Sequence, residues 1–144
     1  LVVSADEEKD KFGKLLRDVF GEDADCKIVK DIYEGISEEM ERHAEDPEPY
    51  KIDRNELKKI FCNSSVPDEK MEMFEGAYRE NIGNVPVMAS NICDNKVVNI
   101  QVPDGKITID ADSISNLEIK EVDGRKCMVL PVDYVEVNGI STKA

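Results

Sequence analysis

The sequence predicts an α+β fold, a four-helix N-terminal half followed by a small, mainly antiparallel β-sheet built from hairpins. Two observations carry that prediction. Before Gly83 apolar residues recur at the three- and four-residue spacing of a helix, and after it they alternate every second residue. The second half also contains Asp-Gly and Asn-Gly dipeptides, which suit hairpin turns. The change of period divides the chain into a helical subdomain over 1–83 and a β-sheet subdomain over 84–144, or one domain merged from the two.

The first helix opens at Ser4, because Glu7 stands three residues on in the capping-box arrangement. Phe12, Leu15, Leu16, Val19 and Phe20 then form one apolar stripe, and Gly21 ends it. Glu7–Lys11 and Asp10–Lys14 lie one turn apart and support the solvent face. A longer second helix is expected from Asp25 to Glu45, with Val29, Ile32, Tyr33, Ile36, Met40 and His43 on one stripe. Asp46-Pro47-Glu48-Pro49 stops it, since proline cannot continue the hydrogen-bond ladder. Asp53 and Glu56 repeat the cap spacing ahead of Leu57, Ile60 and Phe61, a short third helix broken by Asn63-Ser64-Ser65. Pro67, Asp68 and Glu69 suit the first turn of a fourth, whose stripe is Met71, Phe74, Tyr78 and Ile82.

In the second half Val98, Ile100 and Val102 alternate with polar residues, as do Ile107 and Ile109. An even loop keeps both apolar sets on one face, and a four-residue loop over Pro103–Lys106 spares Pro103 a place in the ladder. In the next hairpin Asp123-Gly124 suits a type I′ turn, pairing Val122 with Arg125, Ile119 with Met128 and Leu117 with Leu130. Val135-Glu136-Val137 leads into Asn138-Gly139 as a last short strand.

Composition excludes more functions than it proposes. The chain has 144 residues and a net charge of −13; residues 1–82 carry 23 acidic and 13 basic side chains, and residues 83–144 carry 9 and 6. Such a surface repels phosphate backbones and anionic membranes, so neither nucleic acid nor membrane is an expected partner. The third and fourth helices resemble a DNA-reading unit in outline, but Asp-Glu-Lys-Met-Glu-Met-Phe-Glu would set carboxylates against phosphates. A protein partner, a basic one in particular, remains compatible with the charge. No apolar run approaches the ~20 residues that span a bilayer, and no signal peptide opens the chain. The start at Leu1-Val2-Val3 reads as a fragment of a longer protein.

No residue is nominated as catalytic, cofactor-binding or metal-ligating. Cys26, Cys62, Cys93 and Cys127 lie 36, 31 and 34 residues apart, without the local pairs a zinc site needs. Their apolar neighbours predict buried free thiols in a reducing cytoplasm. Asn63-Ser64-Ser65 matches a glycosylation acceptor, a tripeptide common by chance. The one histidine, His43, sits in the last turn of its helix, where a partial positive charge suits the dipole. Calcium loops beginning at Asp46 or Asp110 lack the turn glycine, with Lys51 and Ser115 in its place. Phosphate-loop, nucleophile-elbow and zincin motifs are absent from the sequence. The leading expectation is a non-enzymatic interaction or structural module. The alternative is an enzyme or accessory domain using carboxylates such as Asp110, Asp112 and Asp123, with or without a metal. The first reading expects the acids at 38, 39, 41, 110 and 112 to be mostly exposed and scattered.

Asp46-Pro47-Glu48-Pro49, Asp123-Gly124-Arg125-Lys126 and Val137-Asn138-Gly139-Ile140, in this order and spacing, resemble a bacterial family catalogued as domain of unknown function 4317. The resemblance covers nearly the whole chain and corresponds to the C-terminal part of longer members. Pro67 departs from the serine N-cap expected at the fourth helix. The resemblance implies a cytoplasmic bacterial protein. It brings no activity and no functional residue.

Overall fold

The computed structural model describes residues 4–22, 24–94 and 96–143. Helices fill the first half and short antiparallel hairpins the second, as the change of period predicts. Helix α1 (Ala5–Phe20) starts where the Ser4 hydroxyl accepts from the Glu7 amide, and the Gly21 amide bonds back to Arg17 at its end. Helix α2 (Cys26–Arg42) is opened by the Asp25 carboxylate, which accepts from Lys27 N–H at 2.8 Å. It closes at Arg42, short of Glu45, because Ala44 N–H bonds to Glu41 and Asp46 N–H to His43, the three-residue spacing of tight turns. The Asp53 side chain caps α3 (Arg54–Asn63), and Ser65 leaves that helix at φ 62°. Helix α4 (Asp68–Asn81) has Pro67 as N-cap, with no side-chain cap bond.

The stripes read from sequence meet in one cluster, apart from Val29 and His43 of the second, which lie outside it. Phe12, Leu15, Ile32, Ile36, Phe61 and Phe74 are all but fully buried in it. Phe61 is fully buried in it, stacked on Phe20 and edge-on to Phe74 at ring separations of 5.9 and 5.0 Å. Removing this much apolar area from water is the main force holding the helices together. The cluster continues past Gly83. Strand β1 (Lys51–Ile52) pairs antiparallel with β2 (Val87–Met88), and the short α5 (Ala89–Ile92) follows, so Val87, Ala89, Ile92 and Cys93 are buried with the helical residues.

Strands β3 (Val97–Val102) and β4 (Gly105–Asp110) pair Val98 with Ile109 and Ile100 with Ile107. The loop between them is Pro103-Asp104, because Val102 pairs with Gly105; the four-residue loop over 103–106 is corrected by this register. Pro103 then occupies the second position of a tight turn, where its fixed φ fits and no ladder N–H is lost. The even loop length survives, so the apolar faces coincide as expected. A 3-10 segment, Ala111–Asn116, buries Ile114 and leads into β5 (Glu118–Val122). Strand β6 (Arg125–Val129) pairs with β5 in the expected register, Ile119 opposite Met128 and Val122 opposite Arg125. Asp123 and Gly124 take φ 50° and 77°, the left-handed pair of a type I′ turn. The ladder ends at Glu118–Val129, which corrects the Leu117–Leu130 pair: Leu117 is buried beside Ile114, whereas Leu130 is exposed. Asn138-Gly139 is itself a hairpin turn, joining β7 (Glu136–Val137) to β8 (Ile140–Ser141) where one strand was expected. Among the described residues the strands form four separate two-stranded ribbons. A ribbon alone is marginal, and β3 to β6 gain support from a small cluster of Ile109, Ile114 and Leu117. Helix α2 packs against that region, and Lys30 Nζ donates to the Leu117 carbonyl at 3.0 Å.

Candidate functional site

Polar and aromatic groups converge where α2 ends. His43 is the C-cap of α2, and its Nδ1 lies 2.7 Å from Asp46 Oδ2, three residues on in the turn that follows. Pro47 and Pro49 stiffen the next stretch and return the chain so that the Tyr50 ring stacks on His43, 4.1 Å away and 6° from parallel. Tyr50 O–H donates to Glu56 Oε2 at 2.6 Å, and the Tyr50 carbonyl accepts from Ala89 N–H at 3.1 Å. Asp53 holds Glu56 from the other side by accepting from its amide at 2.9 Å. Burial, and then the bond to the Glu56 carboxylate, push the Tyr50 phenol well above its ordinary value.

An open groove of about 390 Å³ runs beside this arrangement, lined by Met40, His43, Pro47, Pro49, Tyr50 and Ser90 among others. An Asp–His pair with the carboxylate on Nδ1 orients an imidazole so that Nε2 can hold or move a proton. General-base work needs a proton within hydrogen-bond reach of that nitrogen. Among the described residues His43 Nε2 makes no hydrogen bond, and no nucleophilic side chain is bonded to the pair. The ring does, however, complete the end of α2, stack on Tyr50 and tie down the proline turn. The helix-end position was legible in the sequence, and the three-residue spacing of His43 and Asp46 was a usable signal for their contact. The stack on Tyr50 depends on the path of the chain through the prolines and left no local signal.

The carboxylates of the alternative reading stand elsewhere. Asp110 precedes the 3-10 segment and Asp112 lies in its first turn, whereas Asp123 occupies the turn between β5 and β6; all three are exposed. Glu38 and Glu41 are exposed as well, and Glu39, half-buried, bonds Arg42 at 2.8 Å. Among the described residues no group of three or more His, Cys, Asp or Glu side chains is placed to hold a metal ion.

All four cysteines are free, but their expected burial is corrected at two of them: Cys26 and Cys62 are exposed. Adjacent apolar residues mislead in a helix, because successive side chains point in different directions around it. Cys93 is buried, its thiol pushed up to about 11 by burial and then by Asp94, while Cys127 is half-buried.

The remaining feature is apolar and lies at the end of the chain. Leu130, Val132, Tyr134, Val135, Val137 and Ile140 are all exposed, Tyr134 by 74% and Ile140 by 67%. Sequence alternation read Val135-Glu136-Val137 as a strand; the strand is Glu136–Val137, Val135 lies just outside it, and the alternation gave no sign that these side chains are exposed.

Among the described residues no helix is long and apolar enough to cross a membrane. No curated protein and no solved structure is significantly similar to the chain. One family model, Domain of unknown function (DUF4317), matches residues 1–140, nearly the whole length. The chain therefore belongs to the DUF4317 family.

Proposed function

We propose that this chain is a non-enzymatic protein-interaction or structural module of a larger cytoplasmic bacterial protein, acting through a surface and not through chemistry of its own. The observation that carries the reading is the run of exposed apolar side chains over 130–141. Burying them against water is worth more than leaving them out, and contiguous apolar exposure marks contact surfaces in soluble proteins. Within that segment β7–β8 pairs two residues with two, and among the described residues no other element hides Val137 or Ile140. The reading further takes the partner to be a protein, and a basic one in view of the charge of −13.

The test uses the full-length protein in its own cytosol. Val137→Asp and Ile140→Asp should abolish recovery of its bound partner while leaving the helical circular dichroism unchanged. Retention of the partner by both variants defeats the assignment of the surface. Turnover of any substrate, lost on Asp110→Asn, Asp112→Asn or Asp123→Asn, defeats the reading itself.

A further inference from the structure

A second surface lies on the helical half, along α4 and bordered by Asp18 of α1. It is an open groove of about 640 Å³, with Met73, Gly76 and Ala77 along α4 and with Asp18, Glu72, Arg79 and Glu80 around them. The core-facing stripe of α4 is Phe74, Ala77 and Tyr78, so Met73 belongs to the flank and is 54% exposed. It is the one large apolar side chain among the described helical residues to be so exposed. Gly76 follows one turn later on the same row, with Glu80 one turn beyond.

Gly76 is not required by the chain's own packing. A Cβ built there meets no atom within 4 Å, and the residue lies inside a 14-residue helix where glycine is among the poorest choices. A residue that disagrees with its local structure without an internal reason points to an external one. What glycine supplies is bare backbone beside an adaptable methionine, which lets another element come close. The charge around this strip is one-sided, three carboxylates against the Arg79 guanidinium. One wall is pre-set, since Asn81 Nδ2 donates both to Asp18 Oδ2 at 2.7 Å and to the Ala77 carbonyl at 2.9 Å.

We propose that this groove docks a basic amphipathic helix of a partner protein, with an apolar side chain set on Gly76 against Met73 and lysines or arginines facing Asp18, Glu72 and Glu80. A helix is the occupant because the groove follows a row of α4, whose ridges accept a partner helix, and among the described residues its lining contains no strand. Charge complementarity selects the basic partner over an acidic one. The inference does not rest on the C-terminal ribbon, and the assay below reads the helical groove whatever becomes of Val137 and Ile140.

The probe is a synthetic amphipathic helical peptide with leucines on one face and lysines and arginines on its flanks, titrated into the full chain. A control peptide carries glutamates in place of the basic residues. The basic peptide should shift the Met73 methyl and Gly76 amide resonances, and the acidic one should not. Gly76→Leu fills the groove with a better helix former, so the thermal midpoint should hold or rise while peptide affinity falls by about tenfold or more. Met73→Ser should weaken binding in the same way, and Glu72→Gln with Glu80→Gln should flatten its salt dependence. The proposal is overturned if the basic peptide fails to bind, if the acidic peptide binds as tightly, if Gly76→Leu leaves the affinity intact, or if the resonance shifts fall on another face.

Discussion

Gly35 and Gly76 both occupy helix interiors, yet the surrounding atoms give them opposite meanings. A Cβ at Gly35 would lie 2.9 Å from Ile60 Cγ2, whereas one at Gly76 would meet nothing. Ile60 is buried and β-branched, so its methyl cannot swing away freely. Gly35→Ala gains about 1 kcal/mol of helix propensity but incurs about 1–3 kcal/mol of overpacking. Denaturant titration should therefore find it destabilised by about 1 kcal/mol, and Gly76→Ala stabilised by about 0.5–1 kcal/mol. Equal signs for the two would refute the close crossing of α2 and α3 at Gly35. A second expectation concerns protons. Burial lifts Cys93 from 9.0 to about 11 and Tyr33 and Tyr78 from 10.0 to about 12. Each group holds its proton more tightly folded than unfolded, so the stability it contributes is complete below its unfolded value and is lost as pH rises through the folded one. Stability should accordingly fall from about pH 9 upward, and Cys93→Ala should remove the earliest part of the decline. A flat profile between pH 9 and 11 would contradict the burial of Cys93. In the native protein a thiol reagent should modify Cys26 and Cys62 promptly and Cys93 only on unfolding.

At the scale of elements, legibility follows sequence distance. Ser4, Asp25 and Asp53 each cap the helix they precede, because a cap bond spans two or three residues and needs nothing remote. The Asp123-Gly124 register is equally local: the turn type and the apolar faces select the same pairing. Strands β1 and β2 were illegible, since two-residue strands have no measurable alternation and Ile52 finds Val87 only once the helices have packed. The 3-10 segment over 111–116 is likewise too short for a period. In the candidate site His43 was legible at its helix end, whereas the Tyr50 stack and the bare groove at Gly76 are products of tertiary packing. One turn tests the local logic. Gly124→Ala places a Cβ at φ 77°, a strain of about 1–2 kcal/mol for an L-residue. The loss should fall on β5–β6 alone, so amide protection at Ile119 and Met128 should drop while the helical melting transition stays in place. A matching shift of the helical transition would mean that the ribbon is integral to the helical core.

Over the whole molecule burial is distributed unequally. The helical cluster extends from Phe12 to Cys93 and contains every fully buried aromatic ring, whereas the strand cluster has Ile109, Ile114 and Leu117 at its centre. Apolar area removed from water scales the stability of each, so the two should not open together. The join is narrow: α2 against the 3-10 segment and β5, with the Lys30–Leu117 hydrogen bond across it. Such a bond from an ammonium group contributes about 1.5–3 kcal/mol once exchange with water is counted, well short of what the helical cluster gains by burial. Native-state hydrogen exchange should therefore show the amides of β3 to β6 opening at a lower free energy than those of α1 to α4. Lys30→Met should lower only the first group, since it keeps the apolar stem and removes the donor. Truncation after Asp94 carries the argument to its limit, because it leaves the helical cluster complete through Cys93. The shortened chain should still unfold cooperatively with a helical signal close to that of its parent, while residues 96–143 alone should show no cooperative transition. If the shortened chain fails to fold, the strand region is a required part of the helical core, and the narrow join understates their coupling.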